Sequence, residues 1–324
     1  MKFLELEKKY AEHTNTRGAI SVNTGTAALH VALEALRLPP RAKVIVPEFT
    51  MYASALAVYY SRLTPVFVDC DKDLLIDLDK TEKAIDSDTK VLMVTHIYGR
   101  IVNMDRVMEL AHKYDLRVIE DACEAQGATW NGRPVGSFDI GCFSLYRNKI
   151  ICAEEGGIVS SNDTEFLSIV RDMKSMSFGE THDYHHKQIG FNYRMTNSQA
   201  AIALESLSKA EWNISRREYI KNKFNSLFSK NLLMPDNRDV VWVYDMKHPR
   251  ADKVVKKLKS LGIAARHAFK PMSHQPLFNE APLNNNLNAK RYSEEVFYLH
   301  INPTMSDGEI DRIAQIVSKV CEEL

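Results

Sequence analysis

This 324-residue sequence has no long apolar run, no CxxC pair and no surplus of charge of either sign, and each of these gaps removes a class of function. With 42 basic and 42 acidic residues, the chain has no net field to draw in nucleic acid or an acidic membrane surface. No apolar run reaches the roughly 18 residues that a membrane-spanning helix needs. The five cysteines, Cys70, Cys123, Cys142, Cys152 and Cys321, are odd in number and mostly lie within apolar runs. Buried free thiols in a reduced, cytoplasmic compartment explain them better than disulfides or zinc. No GxGxxG follows a strand-like segment, which argues against a nicotinamide enzyme. The N-terminal stretch MKFLELEKKYAEHTNT is charged throughout and reads as an amphipathic helix, not a signal peptide. The partners that remain are small molecules or a second copy of the chain.

What the chain does contain is short β-branched runs alternating with helical periodicity. Ala19 to Val22 reads as a strand, followed by Asn23-Thr24-Gly25-Thr26 and a helix with apolar positions Ala28, Val31, Ala32, Ala35 and Leu36. Val44 to Val46, Val66 to Val68, Val91 to Val94 and Arg117 to Asp121 continue the alternation, with helices between them. The pattern predicts an α/β fold with a largely parallel sheet covered on both faces, whose ligands sit at the carboxyl ends of the strands. A smaller α/β domain is expected to follow: a strand over Val240 to Tyr244, a helix over Ala251 to Leu261 stopped by Gly262, and a final helix over Asp307 to Glu323. The expected division is residues 1–210 for the large domain and 211–324 for the small one.

Three places carry chemistry. The amides of Thr26 and Ala27, at the start of a helix, suit either a phosphate or ordinary capping by Asn and Thr. Asp121 stands at a strand end, where a buried carboxylate must cap a turn or hold a cation. Lys149 lies in SLYRNKIICAEEGG, just past the apolar run Ile140 to Leu145. An amine at such a strand end is either a loop lysine or, if partly desolvated, a Schiff-base former toward a carbonyl cofactor. The histidines His182, His185 and His186 sit in a polar, loop-like stretch, and no metal is expected.

Taken together, the stretches NTGTAALHVALEAL, VIVPEFTMYASALAV, TPVFVDCD, HIYGR, VIEDACEAQGA, FSLYRNKIICAEEGGIVSSND, IGFNYRMTNSQAAIALESL and GIAARHAFKPMSHQP resemble the DegT/DnrJ/EryC1/StrS sugar aminotransferases. The stretches keep the order found in that family and span nearly the whole chain. The resemblance implies the aspartate aminotransferase fold (fold type I), pyridoxal 5′-phosphate as cofactor and a homodimer with shared sites. It implies that Lys149 is the covalent cofactor lysine and proton carrier, and that Asp121 partners the pyridine nitrogen. It also implies that Thr26, the Ala27 amide and Ser144 hold the phosphate, with Asn192 reaching it from the neighbouring subunit, and that Glu124 lies near the cofactor hydroxyl. Met51 stands where many members stack an aromatic ring, and Glu154 where glycine is usual. The chain begins later than most members, without much of the N-terminal arm, so a more open site is expected. YHHKQIGFNYRMTN and RHAFKPMSHQP look most like perosamine-synthase-type members. The implied reaction moves an amino group from glutamate to C4 of a nucleotide-linked 4-keto-6-deoxyhexose. Amination at C3 and a non-enzymatic binding role are the alternatives, and Lys149 argues against the related 3-dehydratases, in which histidine replaces the lysine.

Overall fold

The computed structural model describes residues 1–179, 184–186, 188–278 and 287–324. In chain order its first elements are α1 (Lys2–Thr14), β1 (Gly18–Val22), α2 (Gly25–Ala35), β2 (Lys43–Pro47), α3 (Tyr52–Tyr60), β3 (Thr64–Val68), α4 (Leu78–Ala84), β4 (Thr89–Thr95), α5 (Met104–Tyr114) and β5 (Arg117–Asp121). A short hairpin, β6 (Thr129–Trp130) and β7 (Arg133–Pro134), precedes β8 (Ile140–Ser144), β9 (Gly157–Ser161), α6 (Thr164–Met173), α7 (Asn197–Ser208) and α8 (Ala210–Leu227). The chain ends with β10 (Tyr244–Lys247), α9 (Ala251–Ser260), β11 (Ala265–His267), α10 (Asn288–Glu295), β12 (Val296–Leu299) and α11 (Asp307–Glu323).

Among the described residues, seven strands form one sheet in the order β1-β9-β8-β5-β4-β2-β3. All neighbours are parallel except β9, which runs antiparallel to both β1 and β8. The strands read as continuous apolar runs because both faces are covered. On β4, Leu92 and Val94 enter one core while Val91 and Met93 enter the other; on β5, Val118 and Ile119 divide the same way. This is the two-residue period of a pleated strand. The first core also takes in Leu6 and Tyr10 of α1, and the second the buried face of α2.

A three-stranded antiparallel sheet, β10-β12-β11, carries α8, α9 and α11 around a third core that includes Phe224, Val254, Leu258, Phe297 and Val317. The strand expected over Val240 to Tyr244 is displaced and runs Tyr244–Lys247. The residues ahead of it are irregular because they are tied to the larger sheet's loops. Asp239 N–H donates to Gly99 O at 2.9 Å, and Trp242 Nε1 donates to Asn148 O at 3.0 Å. The buried Arg100 reinforces this junction through Asp245 Oδ2 at 2.8 Å, while Arg238 reaches Asp245 Oδ1 at 2.6 Å. Burial alone would push the Asp245 carboxyl up, yet the two guanidiniums together hold it below the ordinary carboxylate value.

Candidate active site

Register brings the site together. Val22 of β1 pairs with Gly157 of β9, and Gly157 pairs in turn with Ser144 of β8. The turn after β1 therefore lies directly over the end of β8. A Cβ on Gly157 would stand 2.3 Å from Thr24 O, and one on Gly25 would stand 2.7 Å from Ser144 Cβ. Only glycine allows that approach at either place. The N-terminus of α2 thus opens beside the Ser144 hydroxyl, with the positive end of the helix dipole facing it. The first intrahelical bond is Ala28 N–H to Thr24 O at 3.1 Å. The Gly25 and Thr26 amides precede it. Of the two readings of the Ala27 amide, phosphate or cap, the structure shows the cap: it donates to Thr24 Oγ1 at 3.0 Å, threonine being a good N-cap.

Asp121 ends β5, next to β8, and is buried. Its Oδ2 accepts a hydrogen bond from Ser54 Oγ at 2.7 Å, and its Oδ1 accepts from Cys123 N–H at 3.3 Å. Of the two possibilities weighed for this carboxylate, the structure shows the turn contact with the Cys123 amide, at a strand end beside β8. Sequence reasoning missed Ser54. The available signal was a hydroxyl within the apolar run of α3.

The segment between β8 and β9 forms a tongue that carries Lys149. Its sides are joined by Leu145 N–H to Gly156 O (2.8 Å), Ala153 N–H to Leu145 O (2.7 Å) and Arg147 N–H to Glu154 O (3.0 Å). The buried Gln126 bolts it down, donating to Ser144 O (3.1 Å) and Ile151 O (2.9 Å) and accepting from Ile151 N–H (2.9 Å). Glu154, where glycine is usual in the family resembled, takes the left-handed conformation itself, with φ of 65°. The turn is thus made in spite of the side chain, at the cost of roughly 1–2 kcal/mol that such a conformation carries. The Lys149 amine lies over the Trp242 ring, 3.5 Å from its centroid. Beside both residues is a cleft of about 810 Å³ that Arg147, Arg217 and His300 also line. Another cleft of about 870 Å³, lined by Arg171, Asp172 and Arg194 among others, includes none of the expected site residues.

Glu124 is buried and accepts Tyr98 N–H at 3.0 Å. Burial pushes its carboxyl up to about 7, against the opposing pull of Lys149 and the Tyr98 amide. Tyr98 presents that amide from a left-handed backbone, with φ of 53°. Met51 caps α3 through its sulfur, which accepts Ala53 N–H at 3.0 Å, and the residue is 48% exposed. Asn192 is also exposed. Its neighbours anchor it at the sheet's edge, Phe191 N–H donating to Met173 O and Asn23 N–H to Tyr193 O. Of the three histidines considered as ligands, His182 lies outside the described residues. His185 and His186 are exposed. No group of metal-binding side chains occurs among the described residues, and no described helix is long and apolar enough to cross a membrane.

The residues present suit a phosphate-bearing pyridine aldehyde. A glycine-lined helix end would take the phosphate, a buried carboxylate the ring nitrogen, and a lysine the aldehyde. The profile of the DegT/DnrJ/EryC1/StrS aminotransferase family matches residues 2–318. A GDP-perosamine synthase of Caulobacter vibrioides is 34% identical over 98% of this chain and 89% of its own length. A UDP-N-acetyl-3-dehydro-alpha-D-glucosamine 3-aminotransferase of Acidithiobacillus ferrooxidans is 34% identical over 97% of this chain and 87% of its own. Among solved structures, S. venezuelae DesV in complex with a ketimine intermediate superposes with a TM-score of 0.93 at 29% identity, covering 100% of this chain and 90% of that one. The fold is therefore the aminotransferase fold that the sequence resemblance implied.

Proposed function

Because the chain belongs to the DegT/DnrJ/EryC1/StrS aminotransferase family, an enzyme family that depends on pyridoxal phosphate, we propose that it transfers the amino group of glutamate to C4 of a nucleotide-linked 4-keto-6-deoxyhexose. The observation that carries this reading is that Asp121 ends β5, the Gly25–Ser144 cradle lies at the same end of the neighbouring β8, and the tongue that carries Lys149 leaves from that end. Pyridoxal 5′-phosphate, when bound, supplies an electron sink for the negative charge left when a proton departs from carbon. Asp121, oriented by Ser54, would hold the pyridine nitrogen in its charged form. Thr26, Ser144 and the α2 amides would bind the phosphate, with the Ala27 amide shared with Thr24. Asn192 would reach that phosphate from a second copy, making the protein a homodimer. Met51 would cover one face of the ring through its thioether, and Glu124 would meet the ring hydroxyl. Lys149 would bind the cofactor covalently and, once displaced by the donor, move the proton from the donor carbon to the cofactor carbon. The two half-reactions would follow a ping-pong order.

C4 is favoured by the likeness to the perosamine synthase and by the stretches IGFNYRMTN and RHAFKPMSHQP. C3 is the second reading, supported by an equal identity to the 3-aminotransferase. The test is a panel of 3-keto and 4-keto sugars linked to UDP, GDP and dTDP, assayed with glutamate, with Lys149→Ala as control. Amination of a 4-keto sugar by the native chain, with a loss of at least ~10²-fold in the variant, is the expected result. Near-normal turnover in Lys149→Ala would overturn the residue assignment, and a 3-amino product would overturn the position.

A further inference from the structure

Trp242 comes from the C-terminal part of the chain and is 6% exposed, yet one face of its indole meets the amine of Lys149 at 3.5 Å from the ring centroid. The ring is fixed from several sides. Its Nε1–H donates to Asn148 O, the residue before the lysine, at 3.0 Å, and its own carbonyl accepts Arg217 Nη1 at 2.6 Å. The Tyr98 and Tyr298 rings flank it at 6.0 and 6.2 Å between centroids. An indole offers the strongest aromatic face for an ammonium, and a ring pinned this way loses no further freedom when the ammonium settles on it. Among the described residues Lys149 forms no ion pair, and the buried Glu124 is a carboxyl on which its charge acts.

We propose that Trp242 is a positioning residue, a docking face that holds the Lys149 ammonium before cofactor capture and, after the amino donor has displaced the lysine, between its proton transfers. This inference rests on Lys149 being the covalent cofactor lysine. Held on the indole, the released lysine cannot drift into solvent and stays on the tongue that must return it to the site. The contact favours the released state, so it opposes covalent capture and assists displacement by an amine.

That opposition gives the test its sign. Trp242→Met fills much of the volume without a ring face, and Trp242→Phe keeps a weaker face. Apoprotein should bind pyridoxal 5′-phosphate more tightly in Trp242→Met than in the native chain, by roughly 2- to 30-fold, the span expected for loss of one cation–π contact. Displacement of Lys149 by α-methylglutamate, which has no α-proton and stops after exchange, should become harder by the same factor, read from the absorbance band. Pyridoxamine 5′-phosphate leaves the lysine free in both bound and unbound protein, so its affinity should not change. Trp242→Phe should shift in the same direction by less, and it carries the test alone if circular dichroism shows the Met variant unfolded. Unchanged or weaker pyridoxal 5′-phosphate binding in a folded variant would overturn the proposal, as would a parallel change in pyridoxamine 5′-phosphate affinity. Borohydride trapping and peptide mass spectrometry on the native chain separate the two readings. No adduct on Lys149 would sink the cofactor assignment, whereas an adduct with unshifted affinities would sink only the role of Trp242.

Discussion

Ser54 Oγ donates to Asp121 Oδ2 at 2.7 Å, joining the first turn of α3 to the end of β5. The hydroxyl satisfies one oxygen of a buried carboxylate and fixes its plane, which a carboxylate at a strand end needs if it is to face a ring nitrogen. Asp121→Asn should leave the cofactor bound but slow the half-reaction with glutamate, because the ring nitrogen loses the charge that keeps it protonated. Each pKa unit of lost support is worth ~1.4 kcal/mol. Ser54→Ala should slow the same step by a smaller factor. Single-turnover absorbance with glutamate alone is the measurement; an unchanged rate in Asp121→Asn would reduce Asp121 to a cap for the Cys123 amide.

Gly25 tests the phosphate cradle. An added Cβ would stand 2.7 Å from Ser144 Cβ and 3.1 Å from its Cα and Oγ, so Gly25→Ala must displace either α2 or the end of β8. Stability should fall by ~1–3 kcal/mol, as for other overpacked sites. The specific expectation is that pyridoxal 5′-phosphate binding weakens more than binding of unphosphorylated pyridoxal. Equal losses for the two ligands would mean that the helix end does not hold the phosphate.

Much of this arrangement was legible in the sequence, for identifiable reasons. The strands β2, β4 and β5 follow from continuous β-branched runs, and α11 keeps the bounds read for it, Asp307 to Glu323, its start fixed by a capping box between Ser306 and Glu309. Lys149 and Asp121 stand out as charged residues at or just past strand ends, but a loop lysine and a turn cap fit the same positions, and it is the family resemblance that gives them their roles. Trp242 does not stand out. It sits in VVWVY, whose local pattern is that of a strand, and only the long-range bonds to Gly99 and Asn148 make it irregular chain facing the lysine. The cradle was half legible: α2 could be placed, but the closeness of Gly25 to Ser144 depends on the antiparallel insertion of β9 between β1 and β8, which no local pattern encodes.

Glu124 should make stability depend on pH with a definite sign. Its carboxyl is raised to about 7 in the folded protein from an ordinary 4.5. Between those values the folded chain binds more protons at this position than the unfolded one, so its contribution is fully present at and below about pH 4.5 and is lost as pH rises through 7. The span corresponds to about 3 kcal/mol. Glu124→Gln keeps an acceptor for the Tyr98 amide and removes the titration. The stability of the variant relative to the native chain should therefore increase from pH 4.5 to pH 8, measured as urea midpoints on the two apoproteins. A difference that stays constant across that range would show that Glu124 does not titrate there.

Asn192 offers the sharpest test of a site shared between two copies. It is exposed in the single chain and held at the sheet edge by Phe191 and Tyr193, so it can reach a phosphate in another subunit without rearranging its own. If it does, Asn192→Ala and Lys149→Ala impair the same site from opposite subunits. Hybrids of the two variants then contain one site with both defects and one with neither. Mixing two impaired parents under exchange conditions should restore activity toward one native site per hybrid dimer, a gain that neither parent shows alone. Sedimentation gives the dimer, and mass spectrometry of differently tagged parents gives the hybrid fraction. A monomer at working concentration, or verified hybrids without recovery, would count against the shared site, since the chain would then have to hold the phosphate with Thr26, Ser144 and the α2 amides alone.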